Sequence, residues 1–242
     1  MSAAVSRTIA ELRSQGGGTR MIDDVVVKVA TAEHLAAERG RLDWLHGRFG
    51  CPEVLELTGD GAEAVLITRR LDALSAGSFE HVTAGRTTVD ALGQALAALH
   101  AVPVGDCPFQ LDSADLTRLA RSALVCEEGR RRLPRALRQI AVERLDSLLF
   151  AALPAAPAQK VVVHGRLDLD HLLFDADAAY VCGVRLLGIG DAQFDVARLA
   201  MAVAERFGGE AVADFAASYV AAGAAIEPRR LDAYGPIAAL IP

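Results

Sequence analysis

The chain has 242 residues, 52% of them hydrophobic and 23% charged, which is enough apolar surface for one domain or two small lobes and too much for global disorder. A formal net charge of −6 provides no general basic field for nucleic acid, and no run of about 18 apolar residues is available to span a membrane. Met1 to Gln15 carries Arg7, Glu11 and Arg13 where an export signal would be apolar, so the expected location is the cytoplasm.

From the N-terminus, Gly16-Gly17-Gly18 precedes the first strand, where it fits either a simple turn or a phosphate-covering loop; neither GxGxxG nor a Walker pattern accompanies it. The β-branched run Val25–Val29 reads as a strand. Thr31 then caps a helix over Ala32–His46, with Leu35, Leu42 and Leu45 at near-helical spacing. Strands follow at Val54–Leu57 and Ala64–Thr68 around the turn Thr58-Gly59-Asp60-Gly61, making a β-rich lobe built around one helix. Downstream the period becomes helical: Thr88–Ala101, Ala114–Cys126 and Leu133–Leu153. Short strands at Lys160–Val163 and Tyr180–Val184 flank a loop, and helices are predicted over Ala192–Phe207, Gly209–Ala222 and Pro228–Leu240. Cys51, Cys107, Cys126 and Cys182 lie far apart without a CxxC pair; they suit neither a zinc site nor a disulfide framework and read as small buried apolar residues. Lys28 and Lys160 are the only lysines, an arginine bias associated with GC-rich bacterial genomes.

Four segments fall in the order and spacing of the aminoglycoside phosphotransferase family, and the chain most resembles its 3′-phosphotransferases. The first is Val25-Val26-Val27-Lys28 with Glu38 ten residues on. The second is Leu99-His100-Ala101-Val102-Pro103 with Asp106-Cys107-Pro108-Phe109. The third is His164-Gly165-Arg166-Leu167-Asp168-Leu169-Asp170-His171, and the fourth Gly188-Ile189-Gly190-Asp191-Ala192-Gln193-Phe194-Asp195. The resemblance implies an α+β, bilobal protein-kinase-like fold. Residues 1–70 would form a β-rich nucleotide-binding lobe and residues 71–242 a helical lobe, with the nucleotide cleft between Lys28 and the 164–171 loop. Lys28 would neutralise nucleotide phosphates while Glu38 holds its long side chain by an ion pair, and Gly16-Gly17-Gly18 would sit near them.

Resemblance and chemistry part at the catalytic positions. The family pattern supplies an aspartate as base, an asparagine five residues later and a further aspartate for the metal; here Arg166, His171 and Gly183 occupy those places. A guanidinium cannot accept a proton, and imidazole prefers softer metals than Mg²⁺. ATP therefore remains an implied cofactor, Mg²⁺ is disfavoured, and no set of metal ligands is left. His164 and Asp195 resemble residues that brace the catalytic loop. Asp168 and Asp170 could rescue catalysis as displaced acids, with Asp191 as a substitute metal ligand, or could close the loop on Arg166. Arg130, Arg131 and Arg132 stand where a polycation-binding family would place acids, and form either a solvated helix start or a patch for an acidic partner. The expected function is a catalytically impaired pseudokinase, a nucleotide-binding or partner-binding module for a protein or peptide in natural-product or peptide modification. The alternative is an active ATP-dependent phosphotransferase acting on a hydroxylated small molecule or a peptide Ser/Thr.

Overall fold

A computed structural model describes residues 2–59 and 61–241; Asp60 of the expected 58–61 turn lies outside the described residues. The chain divides into two compact units. One runs to Leu74 and includes Leu173–Arg185; the other comprises Ser75–Leu172 and the chain from Leu186 onward. The sequence boundary at residue 70 thus lies close to Leu74, whereas the 173–185 segment, placed by sequence in the helical lobe, clusters with the first unit: Val181 N–H donates to the Gly50 carbonyl at 2.8 Å.

The first unit opens with a helix that the sequence reading lacks, α1 (Ala3–Ser14), and a strand it also lacks, β1 (Gly18–Ile22). The Ser2 hydroxyl caps α1, and Val5, Ile9 and Leu12 form a one-sided stripe that packs on Val27 and Val29. The triple glycine is the connection between the two elements: Gly17 has φ 112°, and a Cβ there would lie 2.8 Å from the Val29 carbonyl oxygen. β2 (Val25–Ala30), α2 (Ala32–Leu45), β3 (Val54–Thr58) and β4 (Ala64–Arg69) follow close to their predicted bounds. The antiparallel sheet is ordered β1-β2-β4-β3, with Thr19 opposite Lys28 and Lys28 opposite Leu66.

β5 (Leu74–Ser75) leads into the helical unit, which continues with α3 (Phe79–Ala84), α4 (Arg86–His100), α5 (Ser113–Leu124), α6 (Glu127–Arg132), α7 (Arg135–Arg138) and α8 (Val142–Ala151). The single helix expected over Leu133–Leu153 is instead two: α7 ends at the Gln139 cap, and Ala141, at ψ 142°, leaves the helical region before α8 begins, while extended Leu133 before Pro134 separates α7 from α6. β6 (Lys160–Val163), β7 (Leu172–Phe174), β8 (Ala179–Val181) and β9 (Gly188–Asp191) come next, then α9 (Ala192–Phe207), α10 (Ala211–Ala221) and α11 (Pro228–Leu240). β8 is shorter than the predicted Tyr180–Val184 strand. β6 and β9 pair antiparallel, Val163 opposite Gly188, while β5, β7 and β8 form a separate sheet in that order. The core of the helical unit is drawn from α5, α8, β6, α9 and α11, around Leu116, Leu145, Phe194, Tyr234 and Ile237. Among the described residues no helix is long and apolar enough to cross a membrane.

Candidate functional site

Lys28 alternates with Val27 and Val29 along β2, so it stands on the strand face opposite the one that α1 covers. Glu38 shares the buried face of α2 with Leu35, Leu42 and Leu45. The sheet and the helix therefore bring the ammonium and the carboxylate together, and Lys28 Nζ pairs with Glu38 Oε1, the side chains retaining 20% and 9% of their exposure.

In the helical unit, Val161, Val162 and Val163 bury β6 beyond its exposed first residue, Lys160, and deliver the chain to His164, itself 0% exposed. The turn that follows needs Gly165. Its φ is 77°, and a Cβ would meet Leu111 Cδ2 at 2.5 Å and the Leu186 carbonyl oxygen at 2.9 Å. Asp195, in the first turn of α9, accepts the backbone N–H groups of His164 at 2.6 Å and Gly165 at 3.0 Å. Arg166 N–H in turn donates to His164 Nδ1 at 3.2 Å. His100 and Tyr219, to which the sequence reading gave no role, complete this support: Tyr219 hydroxyl and His100 Nδ1 are 2.7 Å apart, and His100 Nε2 lies 3.6 Å from Asp195 Oδ2. Burial pushes the Asp195 pKa up, but His100, His164 and the backbone donor outweigh it and hold the carboxyl below its ordinary value.

Beyond Arg166 the loop closes locally. Asp168 Oδ1 accepts from the N–H groups of Asp170 at 2.9 Å and His171 at 3.0 Å, and lies 2.6 Å from His171 Nδ1. This is an Asp-centred turn of the kind short carboxylates make with residues two and three ahead. Burial works against the charged form, yet the His171 hydrogen bond and charge prevail and bring the Asp168 pKa down to about 2. The expected closure of Asp168 onto Arg166 is not found. Among the described residues no ion pair reaches Arg166, and its Nε is buried without a hydrogen-bond partner. Its side chain instead lines an open pocket of about 490 Å³ with Arg132, Arg198 and Asp168.

Within the helical unit, the Arg166 guanidinium and the His171 imidazole beside Asp168 are poor ligands for Mg²⁺. Asp191 is no substitute. It is 5% exposed, caps α9 through Gln193 N–H at 3.0 Å, and accepts from Arg230 Nη1 at 2.8 Å and the Tyr234 hydroxyl at 3.2 Å. Among the described residues no cluster of three His, Cys, Asp or Glu is arranged to hold a metal. In the arginine run, Arg131 and Arg132 pair with Glu127 and Glu128, four residues earlier on α6, at 2.5 and 2.8 Å. All four cysteines are free thiols.

A small antiparallel sheet bearing a lysine–glutamate pair, with a helical unit bearing a loop braced by an aspartate, defines a kinase-like fold. Residues 13–234 match the phosphotransferase enzyme family, APH, and the chain belongs to it. It is 34% identical over 225 residues to the streptomycin 3''-kinase of Streptomyces griseus, which covers 86% of this chain and 80% of that protein. It is 30% identical over 183 residues to an aminoglycoside 3'-phosphotransferase of Escherichia coli, covering 71% of this chain and 65% of the relative. Among solved structures, aminoglycoside phosphotransferase APH(3'')-Id from Streptomyces rimosus, in complex with ADP and streptomycin, superposes with a TM-score of 0.76 at 25% identity over 99% of both chains.

Proposed function

We propose that this chain is a catalytically impaired member of its family, a pseudokinase that acts as a nucleotide-binding or partner-binding module. The observation that carries the reading is Arg166, at the loop position where the family pattern has its aspartate. Phosphoryl transfer depends on a carboxylate near the attacking hydroxyl and on charge neutralisation by a metal. Loss of a general base alone typically lowers the rate by about 10²–10⁴-fold. A guanidinium about 4 Å from a divalent cation adds repulsion of roughly 4 kcal/mol per unit charge at an effective dielectric of 20. Asp168 Oδ1 is engaged in its own turn by two backbone N–H groups and lies beside His171 Nδ1, which ties this carboxylate to the loop rather than to a substrate hydroxyl.

Nucleotide binding is supported by the Lys28–Glu38 pair and by the ADP found with a similar protein. The arginines around Arg166 oppose a polycationic substrate such as the streptomycin bound by that protein. They favour an acidic partner. The alternative, an active phosphotransferase, draws its support from Asp170, an exposed carboxylate that lines a second open pocket with Asp168 and Glu205. The deciding experiment measures ADP release from ATP with Mg²⁺ in the presence of streptomycin or kanamycin, alongside the shift in melting temperature on adding ATP. Turnover at the no-enzyme level with a nucleotide-dependent shift is expected. Robust turnover that Asp170→Ala abolishes would establish the active reading in its place.

A further inference from the structure

We infer that the helical unit holds a binding site for a small organic anion, a carboxylate or phosphate monoester on an apolar body, in the pocket where Arg132, Arg166 and Arg198 converge. The inference goes beyond the pseudokinase reading, because it requires neither nucleotide nor metal.

The three arginines come from separate elements, the end of α6, the loop after β6 and the middle of α9, and only the fold assembles them. The pocket's volume of about 490 Å³ suits a small molecule. Two of its guanidinium groups are under-satisfied: the Nε atoms of Arg166 and Arg198 are buried and have no hydrogen-bond partner. A buried donor without an acceptor is unfavourable until a ligand supplies one. Arg198 is also held in place, since its Nη1 donates to the carbonyls of Ala238 and Ile241, both at 2.7 Å. Such a fixed planar fork loses little entropy when it meets a carboxylate or phosphate. Burial depresses the Arg198 pKa, and Arg166 and Arg132 add to this against the pull of Asp168 and Asp195, so the cations crowd one another in a way that an anion would relieve.

Two acids also line the pocket, and their placement orients the ligand. Asp168 is engaged by His171. Glu205 is exposed and lies seven residues along α9 from Arg198, which is roughly 10 Å along the helix axis. The oxyanion therefore belongs at the Arg166–Arg198 end. Met201, Ala238 and Ile241 provide an apolar wall for the rest of the ligand.

The test is calorimetry on the whole chain, free of nucleotide and metal, with 1-naphthyl phosphate, 1-naphthoate and neutral 1-naphthol as probes. At least one anion should bind ten-fold or more tightly than naphthol, and the tighter of the two identifies the headgroup. Arg166→Gln should weaken that binding by about 10- to 100-fold, the range set by one charge-assisted hydrogen bond. Arg132→Gln, on an exposed side chain whose loss threatens the fold little, should weaken it by a smaller factor and reduce its salt dependence. Naphthol binding as well as the anions, or anion binding unchanged in both variants, would overturn the inference. Phosphotransferase turnover in the assay above would refute the pseudokinase reading and leave this measurement standing, so the two fail separately.

Discussion

Replacing Asp195 by alanine tests whether a buried carboxylate organises the loop. Asp195 is 0% exposed and its two oxygens accept from consecutive backbone N–H groups at 2.6 and 3.0 Å. Each donor stranded without an acceptor costs about 1–3 kcal/mol, and removing the desolvated charge returns part of that sum. A net loss of about 3–5 kcal/mol follows, in the range for breaking one side of a buried charged network. For a chain of this size that is roughly 6–20 °C in melting temperature, read by circular dichroism at pH 7. Asp195→Asn, which keeps one carbonyl oxygen, should lose about half as much. The penalty should also depend on pH. Because the folded carboxyl titrates below its unfolded value of about 4, its contribution is complete above that pH and is lost as acid protonates the native group, so wild type and Asp195→Ala should converge below it. A variant within about 1 kcal/mol of wild type, or a penalty constant from pH 6 to 3, would refute the brace.

Three further outcomes are expected. Asp168, brought to about 2 by His171 against the effect of burial, should titrate in carboxyl carbon NMR far below an ordinary aspartate; the loop order it confers is then present above about pH 4 and lost as pH falls through about 2, and a midpoint near 4 would contradict the turn. Lys28→Met should destabilise by about 2 kcal/mol because it leaves Glu38 buried and unpaired, and Lys28→Met with Glu38→Leu should recover most of the loss in chemical denaturation; additive losses would deny the coupling. Gly93→Val should cost about 1–3 kcal/mol, since a Cβ on α4 would stand 2.7 Å from Tyr219 N and 2.8 Å from the Phe215 carbonyl oxygen on α10; an unchanged melting temperature would show that the two helices can part without loss.

Much of this fold was legible in the sequence because its elements are strongly periodic. The bounds of β6, α9 and α11 agree residue for residue with the predicted ones. α1 has a local signal as well, a Ser2 cap followed by Val5, Ile9 and Leu12, next to the more conspicuous run of glycines beyond it. The separation of α6 from α7 at Pro134 is legible from the rule that a residue before proline avoids the helical region, whereas the break between α7 and α8 at Gln139–Ala141 has no such local signal. In the site, the Lys28–Glu38 pair was available from strand and helix phase together with the family spacing. The Asp168 turn also has a local signal, an aspartate with receptive N–H groups two and three residues on. The arginine pocket had no such signal: Arg132, Arg166 and Arg198 are spaced by more than thirty residues each, and tertiary packing alone makes them neighbours.

The division between what the loop keeps and what it has exchanged has an energetic basis. His164, Gly165 and Asp195 serve the backbone, and disturbing them strands buried donors or drives a Cβ into Leu111 and Leu186, effects of several kcal/mol against a total stability of about 5–15 kcal/mol. Positions 166, 171 and 183 are those where the family pattern has its substrate- and metal-binding side chains; here His171 holds the Asp168 turn and Gly183 has φ 66°, so both also serve the local backbone, while the Arg166 side chain lines the pocket. A carboxylate at 166 would offset the charge of Arg198, whereas Arg166 adds to a cationic cluster that already includes Arg198 and Arg132. An arginine there inverts the charge presented to a ligand relative to the family pattern. Selection for a polycation would oppose that inversion. Recognition of an acidic ligand, as proposed for the arginine pocket, would account for a guanidinium rather than a carboxylate at position 166 with one change of chemistry.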